Sequence, residues 1–212
     1  MTEQEWLTST DPGPMLKFLQ GKTTDRKLRL FTVACCRRLP LEHLPGGKLV
    51  AALALAERVA EGAMIFEEWR AAHDALTGRA LKNETVAVVS MLYQATRASI
   101  LSMLDAATRA VSHMEGRRGR EGPAQSALLR DIFGPLPLRP VTIEPSVLAW
   151  NDRLVRRLAQ AIYDERRWGD MPILGDALLD AGCDDDEVVA HCRAGGEHVR
   201  GCWVVDLCLG KS

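Results

Sequence analysis

Residues 151–167 read NDRLVRRLAQAIYDERR. Leu154, Leu158 and Ile162 recur along one face of a helix, and Arg153, Arg157, Asp164 and Arg167 take the other. Asn151 or Asp152 supplies the cap that such a helix needs, because a short polar side chain accepts from the otherwise unpaired amides of the first turn. The pattern continues downstream. Asp170 caps a segment carrying Ile173, Leu174, Ala177 and Leu178 inward, which stops at Gly182. Helices over 185–191 and 198–209 follow, although the VVDLCL run in the second also suits a short strand.

Upstream, a helix is predicted over 124–133, followed by the extended, proline-rich GPLPLRPVTIEPS. Before it, GRRGREGP at 116–123 combines glycine, proline and arginine and reads as a linker. The longest predicted element is an amphipathic helix over 84–115, with Val89, Tyr93, Ile100, Leu104 and Val111 stepping by threes and fours. Four more helices precede it. They lie over 15–20, over a stretch capped by Thr23 or Thr24 with Leu28, Phe31 and Cys35 on one face, from about Lys48, and over 66–76. The fold class is therefore all-α: a helical bundle with one long central amphipathic helix and a smaller C-terminal helical unit. Residues 1–115 form an N-terminal bundle and 124–212 the C-terminal unit, with 116–123 between them. The two can pack as one domain.

Composition narrows the function. The 212 residues carry 27 Lys and Arg against 28 Asp and Glu, a formal charge of −1, so no global field drives binding to nucleic acid or anionic membrane. Charges interrupt the most apolar stretches, leaving no transmembrane run, and the amino terminus has no secretory signal pattern. A cytoplasmic setting follows, in which thiols stay reduced. Gly21-Lys22-Thr23 resembles the end of a phosphate-binding loop, but Leu16 stands where that loop needs glycine. Lys22, Arg26, Arg29 and Arg37, and again Arg117, Arg118 and Arg120, form basic patches interspersed with acids, which surface solvation explains. Hydrolase and dinucleotide signatures are absent, and Cys35 continues an apolar face beside Cys36.

Both ends of the chain carry longer motifs. Residues 5–38 contain EWL…DP.PML.FL.GK..DRKLRLF..ACCRR, and 128–211 contain LLRDIFG…RPV…HCR…HVRGCWVVDL.LGK. Together these segments resemble a large bacterial family of paralogous proteins abundant in planctomycete-type genomes. The resemblance implies no activity, cofactor or catalytic residue. The chain departs from the family pattern at Cys208, where leucine is usual, and at the GPLPL run, where GNPF is more familiar. That sets Cys208 aside as a core-facing thiol.

Specific chemistry is suggested in one place, where Cys183, His191, Cys192, His198, Cys202 and Cys208 crowd together. Tetrahedral zinc takes four such donors, and Cys183, Cys192, His198 and Cys202 are the candidate metal ligands. His191 can replace Cys192 but not join it, since adjacent helical residues point about 100° apart. The spacing lacks the Cys-x2-Cys knuckle, and the alternative is that these cysteines are small buried hydrophobes. The leading expectation is a non-catalytic helical protein acting through a protein partner. The runner-up is a zinc-stabilised helical module in contact with nucleic acid, and the third an enzyme with an unrecognised site near Cys192, His198 and Cys202.

Overall fold

The computed structural model describes residues 1–38, 48–63, 67, 118–135 and 137–211. Among them the chain is all-helical, as the periodicity predicts. In order, the elements are α1 (Glu3–Thr8), α2 (Pro12–Leu19), α3 (Asp25–Arg37), α4 (Lys48–Ala60), α5 (Arg118–Phe133), α6 (Pro145–Glu165), a 3-10 turn (Trp168–Asp170), α7 (Met171–Asp180), α8 (Asp186–Arg193) and α9 (Trp203–Leu209). The helices expected over 66–76 and 84–115 lie outside the described residues. Among those described, no helix is long and apolar enough to cross a membrane.

The chain divides into two compact units, Met1–Leu129 and Arg130–Ser212. The division falls inside α5 rather than at 116–123, and residues 118–123 are helical rather than a linker. Pro123 lies near the amino end of that helix, where its missing N–H removes a single backbone bond.

In the first unit, Thr24 caps α3 by accepting from the Lys27 amide, and Leu28, Phe31 and Cys35 are fully buried as their spacing predicts. Helix α3 packs on α4, whose Leu53, Ala56 and Ala60 face inward. The arginines of α3 are engaged by carboxylates: Arg26 by Glu61 at 3.0 Å, Arg37 by Glu57 at 3.0 Å and Arg29 by Asp25 at 3.5 Å. Helix α1 is not anticipated by the sequence reading. Thr2 and Glu5 form a reciprocal capping box there, and Trp6 is buried.

The second unit is built from α6 to α9. Helix α7 packs on α6 and α8, and α9 packs on α6. Helix α6 begins at Pro145, upstream of the expected cap, and breaks at Asn151, Asp152 and Arg153, whose φ values are 45, 54 and 58°. Asn and Asp enter this left-handed region at low cost, so the two expected cap residues mark a break instead of a start. Val155, Ala159, Ile162 and Tyr163 are buried, while Leu154 and Leu158 are only partly so. The polar face, Arg153, Arg157, Asp164 and Arg167, is exposed as expected. Helix α7 buries Leu174, Ala177 and Leu178 but exposes Ile173. The VVDLCL run is helical.

Gly175 sets the separation of α7 and α8. A Cβ there would lie 2.9 Å from Cys192 Cβ and 3.4 Å from Arg193 Cγ. Both atoms sit near the backbone and cannot swing away. Alanine normally favours a helix over glycine by about 1 kcal/mol. Here Gly175→Ala is expected to destabilise the protein by about 1–3 kcal/mol through overpacking, read as a lower urea midpoint at unchanged slope.

Candidate metal centre

The centre is assembled from three segments of the second unit. The end of α5 supplies Asp131, the last turn of α8 supplies His191, and the turn entering α9 supplies His198 and Cys202. Local sequence explains each placement. Asp185 caps α8 by accepting from the Glu187 and Val188 amides, which fixes the phase that turns His191 to one side and Cys192 into the core. The turn before α9 closes through a Cys202 N–H donated to the Val199 carbonyl at 3.0 Å, with Gly201 at φ 93°. Cys202 itself is the N-cap of α9.

One ligand atom from each of Asp131, His191, His198 and Cys202 lies within 4.8 Å of the other three. Asp131 Oδ1 is 2.7 Å from His198 Nδ1 and 3.2 Å from His191 Nε2. Cys202 Sγ is 3.3 Å from His191 Nε2 and 4.0 Å from His198 Nδ1. Asp131 Oδ2 is held separately, accepting from the Val199 N–H at 2.9 Å. The two imidazoles meet edge to face at 5.0 Å, and the Trp203 ring lies 5.3 Å from that of His191. Trp203 in turn lies against Gly134, where an added Cβ would fall 2.5 Å from its ring.

Burial alone would push the Asp131 carboxyl up, but the hydrogen bonds and charges of His191 and His198 outweigh it and hold Asp131 below its ordinary value. An ionised carboxylate only accepts, so His198 Nδ1 and His191 Nε2 both donate to it in the metal-free chain. Cys202 is shifted the other way. Its burial, with the Asp131 charge added, pushes the thiol well above its usual value.

The arrangement distinguishes two chemistries. In a nucleophilic relay, the thiol and the carboxylate occupy opposite nitrogens of one imidazole. Here both histidines turn the same nitrogen to thiol and carboxylate alike. That geometry opposes an imidazole relay to a thiolate nucleophile and suits donors gathered around one ion. Tetrahedral zinc with bonds of about 2.0–2.3 Å separates its donors by roughly 3.3–3.8 Å. The two His191 distances, 3.2 and 3.3 Å, lie near that range, whereas Asp131 and His198 at 2.7 Å are in direct hydrogen-bond contact and His198 and Cys202 at 4.0 Å stand wider.

Of the four ligands read from the sequence, His198 and Cys202 join this group, and Cys183 and Cys192 do not. Cys192 is fully buried against α7, with its thiol pushed up to about 12 by burial and then by the charges of Cys183 and Asp131. It lies one helical step from His191, so the alternative between those two residues resolves to His191. Cys183 follows α7 and belongs to the apolar core, as does Cys208. Cys35 and Cys36 are fully buried in the first unit, with the Cys36 thiol pushed up to about 12 by desolvation. Asp131 is the ligand that sequence reading misses. Its one signal is a carboxylate set among Leu128, Leu129, Ile132 and Phe133, all buried.

No protein-family model matches the chain, and no curated protein or solved structure matches it.

In metal-free protein, Asp131→Asn is expected to cost about 1–3 kcal/mol, because a charged acceptor of three N–H groups becomes a neutral amide. A carboxyl held low stabilises the fold above its ordinary value of 3.8, and that contribution is lost as pH falls through the lowered value. The stability gap between wild type and Asp131→Asn should therefore be open at neutral pH and close in strong acid, measured by urea unfolding across pH.

Proposed function

We propose that the second unit is a zinc-organised, non-catalytic helical module, with Asp131, His191, His198 and Cys202 as the ligands. The observation that carries this reading is the gathering of four donor atoms within 4.8 Å of one another, each histidine turning a single nitrogen to both the Asp131 carboxylate and the Cys202 thiol. A set of nitrogen, sulfur and carboxylate donors suits zinc better than the oxygen-seeking magnesium or calcium.

Charge supports the same reading. One carboxylate and one thiolate balance a divalent ion, so the centre is neutral overall and its burial costs less than that of a lone charge. Burial, with the Asp131 charge added, holds the Cys202 thiol up, and a coordinated cation would favour its thiolate form. The Val199 N–H on Asp131 Oδ2 supports the ligand from outside, as outer partners do in metal sites. Four protein ligands fill a tetrahedron and leave no position for substrate, which favours structure over catalysis. A module whose metal serves its architecture acts through its surface, in keeping with the protein-binding role expected from the sequence. The cytoplasmic setting expected there also keeps Cys202 reduced.

Protein purified without chelator should contain one zinc per chain by elemental analysis, and chelation should lower its melting temperature. Asp131→Ala and Cys202→Ser should lose the metal, while Cys183→Ser and Cys192→Ser keep it. Metal-free wild type with an unchanged melting temperature on zinc addition would end the proposal. Loss of zinc from Cys183→Ser alone would restore the ligand set read from the sequence.

A further inference from the structure

We infer that His191 is the exchangeable ligand of the centre, and that the position it vacates takes a small monodentate donor of the imidazole or thiolate class. This rests on the metal reading above. The four ligands are not held alike. Cys202 is fully buried, and the side chains of Asp131 and His198 are 5% and 8% exposed, whereas that of His191 is 18% exposed.

Attachment follows the same order. Asp131 lies within α5, and Cys202 opens α9 inside the core. His198 is clipped on both sides. Its Nδ1 meets Asp131 Oδ1 at 2.7 Å, the next residue's N–H meets Oδ2 at 2.9 Å, and the Val199 carbonyl accepts from Cys202. His191 approaches Asp131 at the longer 3.2 Å and, although its Nε2 is nearer Cys202 Sγ than His198 Nδ1 is (3.3 against 4.0 Å), it has no backbone clip of this kind and hangs from the last turn of α8. That turn leads into residues 193–197, all exposed, where a Cβ on Gly195 or Gly196 would meet nothing within 4 Å. Helix ends bordered by exposed loops open at the lowest free-energy cost. Opening there frees His191 while the Asp131–Val199–Cys202 network keeps the other three donors together.

The surroundings of the vacated position decide what enters it. The His191 ring is bounded by the His198 imidazole at 5.0 Å and the Trp203 indole at 5.3 Å. Aromatic walls favour a flat, weakly hydrated ring or a soft sulfur over a hydrated oxyanion. The incoming donor replaces one neutral nitrogen on the ion, so no electrons are transferred and no covalent bond within the protein is broken.

Cobalt(II) is the probe, with the full chain. Wild type should bind one equivalent and show the visible and thiolate absorption of a tetrahedral site. His191→Gly should still bind cobalt, with affinity weakened roughly tenfold or more, and added imidazole should restore the wild-type spectrum. His198→Gly should not be restored. Rescue of His198→Gly in place of His191→Gly, or rescue of neither, overturns the inference. A second measurement needs no variant: zinc release from wild type to excess chromophoric chelator should accelerate with imidazole at fixed pH. A release rate independent of imidazole overturns the inference as well. Failure of wild type to bind cobalt or zinc at all removes the metal reading and this inference with it. A normal wild-type spectrum without rescue removes this inference alone.

Discussion

The arrangement of the second unit depends on one buried carboxylate. Taking an ionised group out of water costs several kcal/mol unless protein donors replace its hydration. Asp131 is almost fully buried, and two imidazole N–H groups and one backbone N–H meet its oxygens. Each donor comes from a segment remote from α5 in sequence. To satisfy this one side chain, the chain must bring the end of α8 and the turn before α9 to the end of α5. The indole of Trp203 completes the enclosure, and Gly134 leaves room for it.

The same carboxylate separates the chemistries open to a Cys–His–Asp constellation. Residue types alone would allow a cysteine nucleophile with its base and orienting acid. Geometry decides against it. A relay runs through an imidazole from one nitrogen to the other, whereas here each histidine uses one nitrogen for both neighbours. The thiol points the same way, since nothing near Cys202 lowers its pKa enough to overcome its burial. A divalent ion placed there would satisfy both groups, holding the carboxylate and favouring the thiolate form of Cys202.

Much of this was legible in the sequence, and the gaps have physical causes. Helical period identified the buried face of α3, where Leu28, Phe31 and Cys35 are fully buried. In α6 the buried stripe runs through Val155, Ala159, Ile162 and Tyr163 while Leu154 and Leu158 stay half-buried, because hydropathy ranks leucine above valine and alanine whereas tertiary packing chooses which flank of the helix is covered. At the centre, His198 and Cys202 were named because sulfur and imidazole are scarce and lie close in sequence. Between Cys192 and its substitute His191 the spacing is silent, and only the phase of α8 decides which of the two neighbours reaches the group. Asp131 could not be found by spacing. Carboxylates are common, and this one reaches its partners only through tertiary packing.

What remains is why such a unit would use a metal. Its last two helices are short, with 8 residues in α8 and 7 in α9, and helices of that length are not stable by themselves in water. Both must be held by their packing. The apolar side chains that they contribute are mainly valine and cysteine beside Trp203. A bond network joining the end of α8, the start of α9 and the end of α5 adds fixed points to that packing. An ion at their meeting point would strengthen the cross-link where the two shortest helices adjoin. Four side chains of metal-binding type gathered there, two buried and two half-buried, stand where such a cross-link would act on both short helices.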